Sequence, residues 1–198
     1  MINGFGIIAV VFAYLIGSVN NAILICSAKD VDVKKIGSGN AGATNTVRAL
    51  GKKYGILVFI LDFLKGAIAC TVARFIADDF VTLAGIFAIL GHIFPLYHGF
   101  KGGKGVSTTY GTLVVINIWA ALIVGVLHII LIKTTGIVSI STIASFVILP
   151  FAILILGAGE NYINVILTAV ISVIVIVAHK ENIRRLIKGE ENSFKKEK

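Results

Sequence analysis

Apolar runs long enough to cross a bilayer recur along nearly the whole of this 198-residue chain. Crossing about 30 Å of hydrocarbon takes roughly 20 helical residues, and in that medium every backbone polar group must find its partner within the protein. Only helices or a closed barrel meet the demand. The runs of Ile, Leu, Val and Ala lack the period-two alternation of barrel strands, so the sequence predicts helices. Hydrophobic residues make up 57% and charged residues only 14%, with mean hydropathy +0.97. A soluble domain carries roughly a quarter charged residues, so a soluble globule is excluded.

The formal charge of +8 is informative through its placement. Lys29, Lys34, Lys35, Arg48, Lys52 and Lys53 lie in the first polar segment, Lys101 and Lys104 in the second, Lys133 in a third, and a final cluster between Lys180 and Lys198. The positive-inside rule assigns all four segments to the cytoplasm. Asp78, Asp79 and the connection from Gly157 to Tyr162 with Glu160 are then expected outside, as is the N-terminus. Charge confined to connections between apolar runs implies no nucleic-acid partner. Two cysteines, Cys26 and Cys70, sit in or at the end of apolar runs and suggest neither a disulfide framework nor a metal site. The first apolar run has no basic residue before it and is long enough to span, so no cleavable leader is expected.

The first span is predicted over about Gly4 to Cys26, interrupted at Gly17-Ser18-Val19-Asn20-Asn21, polar residues read as contacts between helices. The second covers about Tyr54 to Ile76 and contains Asp62 and Lys65, whose i, i+3 spacing lets them share a face and neutralise each other. A structural pair and a functional pair are both open. The third runs from about Phe80 to Tyr97 and is bent or stopped at Pro95. Lys104 and Lys133, both assigned inside, require an even number of crossings, yet only 28 residues separate them. That is too few for two full spans. The prediction is a short helix from about Val106 to Ile116, a break near Asn117, and a return from about Trp119 to Ile132, with a site nearby. Spans from about Ser141 to Leu156 and Ile163 to Ala178 complete an all-α polytopic fold of seven transmembrane helices, with a cytoplasmic C-terminus. The expected organisation is one membrane-embedded domain over residues 1–198, of which 180–198 form a basic cytoplasmic tail.

Three polar islands punctuate the apolar runs. In the first, Gly37, Gly39 and Gly42 let the backbone N–H groups approach a ligand, Ser38, Asn40, Thr44 and Asn45 add side-chain donors, and Arg48 adds a planar cation. That inventory suits a phosphate. The second, from His98 to Thr109, sets Lys101 and Lys104 among Gly99, Gly102, Gly103 and Gly105, ahead of hydroxyl residues that would open a helix favouring negative charge at its N-terminus. In the third, His179 and Asn182 lie one helical turn apart. They either meet a common ligand or belong to a basic juxtamembrane helix that attracts anionic lipid. Gly37, Gly39 and Gly42 also match G-x-G-x-x-G, with Asp62 twenty residues beyond, but a dinucleotide fingerprint needs a preceding strand. A Walker A motif fails because Gly105, not Ser or Thr, follows Lys104. His92 and His128, on apolar stretches, are read as packed helix residues.

The run Gly37 to Asn45 with Arg48 and Gly51, the run Gly91-His92-Ile93-Phe94-Pro95 with Phe100-Lys101-Gly102-Gly103-Lys104, and His179-x-x-Asn182-Ile183-x-Arg185 with Gly189-x-Glu191 occur in order along the chain. On these motifs the sequence closely resembles the bacterial acyl-phosphate-dependent glycerol-3-phosphate acyltransferase family. The resemblance implies a monomeric seven-helix enzyme of the bacterial cytoplasmic membrane, in contact with membrane lipid and active on the cytoplasmic side. It would move an acyl group from acyl phosphate to the 1-hydroxyl of sn-glycerol 3-phosphate in the first step of phospholipid synthesis, giving lysophosphatidate and phosphate with no metal, cofactor or acyl-CoA. Carried over by position, Ser38, Thr44, Asn45, Gly102 and Gly103 would cradle the acyl phosphate, and Gly37, Gly39, Asn40 and Gly42 are further expected substrate-binding positions. Arg48, Lys104, His179 and Asn182 would hold glycerol 3-phosphate, and Glu191 would close the site or orient the basic residues. With Ser38, these four are the implied catalytic groups. For a family hydroxyl near the start of the sixth helix, Thr142 is named, with Ser139 and Ser141 also candidates, and Glu190 competes with Glu191. The rival class, a small anion transporter, would need a ligand path across the membrane, whereas every ligand group is assigned to one face.

Overall fold

The computed structural model describes residues 4–156 and 162–194, and the acidic connection around Glu160 lies outside them. Every regular element among the described residues is helical: α1 (Gly4–Gly17), α2 (Asn21–Ser27), α3 (Ala43–Leu50), α4 (Lys52–Ile76), α5 (Val81–Ile93), α6 (Val106–Ile116), α7 (Ile118–Thr135), α8 (Val138–Leu156), α9 (Tyr162–Ala178) and α10 (Lys180–Ile187). Five segments are long and apolar enough to span: Gly4–Ser27, Lys52–Ile76, Asp78–His98, Ile118–Thr135 and Val138–Leu156. A sixth is the α9–α10 pair, bent by 58°. The seventh apolar segment is α6, only 11 residues long, with the bounds expected for the short helix before the break. Asn117 then caps α7 by accepting from the Ala120 N–H at 3.0 Å.

The chain divides into two compact units, residues 1–116 and 117–198. In the first, α4 packs against α1, α3, α5 and α6. The core is built of small residues, among them Ala9, Ala13, Ala69, Ala73, Ala84 and Ala88, while Phe5, Ile60, Phe75 and other large apolar side chains point outward. Association of helices in lipid gains little from hydrophobic burial and relies on close van der Waals contact, which small residues permit. Gly66 lies against the Thr108 carbonyl and Gly111 against the Phe63 carbonyl, so α4 and α6 touch backbone to backbone. Gly17 meets the Ala88 carbonyl and Gly91 the Tyr14 carbonyl in the same way, joining α1 to α5.

The polar interruption of the first span is a genuine break. Asn20 accepts from the Ile23 N–H at 3.0 Å and so caps α2. Lys65 Nζ donates to the carbonyls of Gly17 at 2.9 Å and Val19 at 2.7 Å. It also sits 3.1 Å from Asp62 Oδ1, so the i, i+3 pair forms as expected, both side chains being buried.

In the second unit α8 packs between α7 and α9 and carries Pro150. Gly136, at φ +75°, turns the chain sharply after α7, so α8 begins at Val138 rather than near Ser141 and its first turns take in Ser139, Ser141 and Thr142. Helices α3 and α10 are short amphipathic segments whose bounds lie inside stretches otherwise read as polar connections.

Replacing Gly91 by Val should unseat α1 from α5, because the added Cβ would meet the Tyr14 carbonyl and, at 2.8 Å, the Ser18 nitrogen. Overpacking of this kind costs about 1–3 kcal/mol or more. Thermal denaturation in detergent should show a clearly lowered midpoint for Gly91→Val and an unchanged one for Ile60→Val on the exposed face.

Candidate active site

The first unit holds two glycine-rich loops. Asp32 Oδ1 accepts from the Lys34 N–H at 3.0 Å and starts a 3-10 turn over Val33–Lys35, which delivers the chain to Gly37. Asn45, on α3, then reaches back into the loop. Its Nδ2 donates to the carbonyls of Val33 at 2.9 Å and Ile36 at 2.8 Å, and its Oδ1 accepts from the Ser38 N–H at 3.0 Å. Asn45 is thereby the internal brace of the loop that carries Ser38. Gly37, at φ +55°, lies where a Cβ would meet Asn45 Oδ1 at 2.5 Å and Arg48 Cδ at 3.0 Å. Arg48 on α3 is thus held beside the loop. Gly42 caps α3 with no side-chain bond, and Thr44 lies in the first turn.

The second loop docks onto the end of α5. The Gly102 N–H donates to the Ile93 carbonyl at 3.0 Å and the Gly103 N–H to the His92 carbonyl at 3.1 Å. A Cβ at Gly103 would collide with His92 Nε2 and come within 2.7 Å of the Ala41 carbonyl. The two loops therefore touch, Ala41 of the first lying against Gly103 of the second. Asn20 Nδ2 donates to the same Ala41 carbonyl at 3.4 Å. Lys104 follows directly, and Gly105, at φ +80°, leads into α6 with its buried Ser107, Thr108 and Thr109. The N–H groups of Ser38, Gly39, Gly42, Gly102 and Gly103 are taken up by bonds within the protein, against the expectation that the glycine N–H groups face a ligand, so what the two loops offer phosphate oxygens is chiefly the cations beside them, Arg48 and Lys104.

The second unit gathers the third motif around Glu191. Its Oε1 accepts from Ser139 Oγ at 3.0 Å and from Asn182 Nδ2, and its Oε2 accepts from Arg185 Nε at 2.7 Å. Among the three hydroxyl candidates Ser139 reaches the carboxylate, whereas Ser141 and Thr142 donate to the Ile137 and Val138 carbonyls one turn back. Of the two adjacent acids Glu191 faces inward, because the Glu190 N–H closes on the Arg185 carbonyl at 2.8 Å after Gly189 at φ +72°. The Phe194 N–H donates to the Gly136 carbonyl at 2.8 Å and anchors the segment. His179 is buried at the α9–α10 bend, with Nδ1 2.7 Å from the Val175 carbonyl. Burial works against a charged Glu191, but the bonds from Arg185, Asn182 and Ser139 and the Arg185 charge outweigh it, and the carboxyl is held below its ordinary range.

Two residues outside the implied site prove structurally central. Arg185 anchors Glu191, and its position in the motif next to His179 and Asn182 was the available signal. His92 backs the second loop through both its carbonyl and its ring, a contact that an apolar helical stretch does not advertise. Among the described residues no group of three or more His, Cys, Asp or Glu is placed to hold a metal ion.

A family model described as glycerol-3-phosphate acyltransferase matches residues 7–189. The glycerol-3-phosphate acyltransferase of Aquifex aeolicus (strain VF5) is 42% identical over 189 residues, covering 93% of this chain and 97% of that protein. Its counterpart in Geobacter sulfurreducens is 40% identical over 185 residues, covering 92% and 94%. The crystal structure of PlsY (YgiH), an integral membrane glycerol 3-phosphate acyltransferase, is similar with a TM-score of 0.92 in its glycerol 3-phosphate form. Its lysophosphatidic acid form gives 0.90, and in both comparisons identity is 38% with 97% of this chain and 96% of that chain covered.

Glu191→Gln should separate the charge of the cluster from its shape. A carboxyl with a depressed pKa in the folded state adds stability above the unfolded carboxylate value, and loses it as pH falls through the folded value. The melting gap between wild type and Glu191→Gln should therefore be widest at neutral pH and close in acid, below the usual carboxylate pKa of about 4.3. A pH-independent gap would contradict this account of the cluster.

Proposed function

Because the chain belongs to the glycerol-3-phosphate acyltransferase family, we propose that it transfers an acyl group from acyl phosphate to the 1-hydroxyl of sn-glycerol 3-phosphate, releasing lysophosphatidate and phosphate. It is an integral membrane acyltransferase acting on glycerol 3-phosphate. The observation that carries the reading is the span of the family match, residues 7–189, which takes in Ser38, Arg48, Lys104, His179 and Asn182 together with both glycine-rich loops. The proposed setting is a monomer in a bacterial inner membrane, active on the cytoplasmic side and organised as one acyltransferase domain.

The proposed donor follows from chemistry. Acyl phosphate is already activated, and its phosphate leaves readily where N–H groups and cations take up the growing charge. Arg48 and Lys104, beside loops 37–45 and 102–104, are the cations proposed for that duty, and Ser38, Thr44, Gly102 and Gly103 are assigned to the donor. Asn45 supports the same loop through the bonds described above. No His in the chain has an Asp five residues on, so the His-Asp base of acyltransferases with an H-x-x-x-x-D signature is absent. By the family resemblance, Arg48, Lys104, His179 and Asn182 are assigned to glycerol 3-phosphate. Glu191, held by Arg185, Asn182 and Ser139, orients its own cluster.

In the reaction the glycerol 1-hydroxyl oxygen attacks the acyl carbon. The new C–O ester bond forms as the bond from that carbon to the phosphate oxygen breaks, and phosphate leaves with the bonding pair. The hydroxyl proton has two candidate acceptors, a substrate phosphate oxygen and His179. With Nδ1–H donating to the Val175 carbonyl, the basic nitrogen of a neutral His179 is Nε2. Positioning the hydroxyl within about 3.5 Å of the acyl carbon supplies much of the remaining acceleration.

Purified protein should turn over acyl phosphate but not acyl-CoA, with no loss of rate on adding a chelator. Equal turnover with acyl-CoA would overturn the donor assignment. Lys104→Ala and Arg48→Ala each remove a charge-assisted bond worth roughly 1.5–3 kcal/mol, so kcat/KM should fall about 10- to 150-fold. Arg48→Lys should rescue poorly, since it lacks the planar fork.

Orientation is tested by single cysteines in intact cells. Cysteine at Asp79 should react with an impermeant thiol reagent, and cysteine at Lys53, Lys104 or Lys133 should not. Labelling at Lys133 from outside would remove the cytoplasmic assignment of the connection after α7.

A further inference from the structure

Three ionisable side chains, Asp62, Lys65 and His92, are buried together inside apolar helices of the first unit. Polar and ionisable groups at membrane depth are costly and are kept for a purpose. A buried ion pair is weak evidence for a stabilising role, because apolar replacements of similar volume often serve stability as well. Its purpose is therefore sought in what the three residues touch.

Lys65 Nζ, with three donors, is engaged by Asp62 Oδ1 and by the carbonyls of Gly17 and Val19. Asp62 Oδ1 also accepts from Asn21 Nδ2 at 2.9 Å and faces His92 Nδ1 at 3.7 Å, a buried ring nitrogen that makes no hydrogen bond among the described residues, so this second link is one of packing. From this carboxylate two routes lead to the loops. One runs through Asn21 to its neighbour Asn20, which caps α2 and donates to the Ala41 carbonyl of the first loop. The other runs through the His92 ring, whose Nε2 edge backs Gly103 while the His92 carbonyl accepts from the Gly103 N–H. The routes close on each other where Gly103 lies against the Ala41 carbonyl. Asn40 and Gly42 flank one end of that contact and Lys104 follows the other, so a change in the ring of contacts moves donor groups of both loops together.

We propose that Asp62, Lys65 and His92 form a buried positioning network that holds the two glycine-rich loops at the spacing their phosphate ligand requires. None of the three touches substrate in this assignment. The proposal rests on the acyltransferase reading given above and adds the residues that keep its loops in register.

The test uses full-length protein in detergent, with Asp62→Asn, His92→Phe and His92→Asn. Asn at 62 keeps the shape of Asp, and Lys65 even as a neutral amine has two N–H groups for its two carbonyls. Phe at 92 fills the space against Gly103 without a polar edge, whereas Asn places an N–H near the position of Nδ1. Three quantities are read: the melting midpoint, kcat and KM for both substrates, and separately the Kd for glycerol 3-phosphate by titration. Asp62→Asn and His92→Phe should melt within a few degrees of wild type yet lose about 30-fold in kcat/KM, inside the roughly 100-fold that a 1 Å misplacement costs. Their Kd should rise about tenfold, and His92→Asn should recover several-fold over His92→Phe. Wild-type protein inactive with acyl phosphate would sink the functional reading alone, since the Kd series still tests the network. Variants that keep both kcat/KM and Kd within twofold of wild type overturn the network. So does failure of Asp62→Asn and His92→Phe to fold, because the three residues would then hold helices rather than loops.

Discussion

A carbonyl released by a helix break inside a bilayer has no water to accept from, and Lys65 supplies what water would. The break between α1 and α2 releases the carbonyls of Gly17 and Val19, and one ammonium group serves both. That cation in turn demands an anion, and Asp62 stands one turn away on the same helix. The break thus brings the pair with it. With the break satisfied, α2 starts under its Asn20 cap and carries the chain toward the first glycine-rich loop. The loop is then braced from the other side by Asn45.

The features legible in the sequence are those governed by one-dimensional arithmetic. The short helix and break expected between Lys104 and Lys133 are present, with α6 ending at Ile116 and α7 starting under its Asn117 cap. The i, i+3 spacing of Asp62 and Lys65 likewise leads to a pair that forms. Resemblance carried the motifs to the family that the matches support. Less legible are choices between neighbours. Ser139, Ser141 and Thr142 differ by about 100° of helical rotation per residue, and only the fold-back after Gly189 brings Glu191 to Ser139. Periodicity cannot foresee that closure. The sequence offers Asn45 as a ligand donor, but its amide bonds reach Val33, Ile36 and Ser38, partners identifiable only once the loop folds back on α3. His92 was hidden by its apolar surroundings, since what gives it meaning is a glycine eleven residues later that packs on its ring.

The two polar clusters use charge in different ways. The loops of the first unit spend the N–H groups of Ser38, Gly39, Gly42, Gly102 and Gly103 on fixing their own shape, which sets Arg48 and Lys104 beside a preformed backbone. The cluster of the second unit consumes a carboxylate internally: Glu191 is engaged by three side chains and holds Asn182 and Arg185 in fixed orientations. Its value lies in geometry rather than in any proton it could exchange. Each cluster is assembled from residues of its own unit.

The seams between α1 and α5 and between α4 and α6 are closed by glycine against carbonyl, with no space for one more methyl group. The outward faces of the same helices carry Ile, Leu, Phe and Val whose only duty is to be oily. Substitution over evolutionary time should therefore be lopsided. A lineage can exchange Ile60 for Leu or Val almost without limit while Gly17, Gly66, Gly91 and Gly111 stand still. Identity between two such proteins should then be concentrated in the joinery between helices and sparse on the faces turned to lipid.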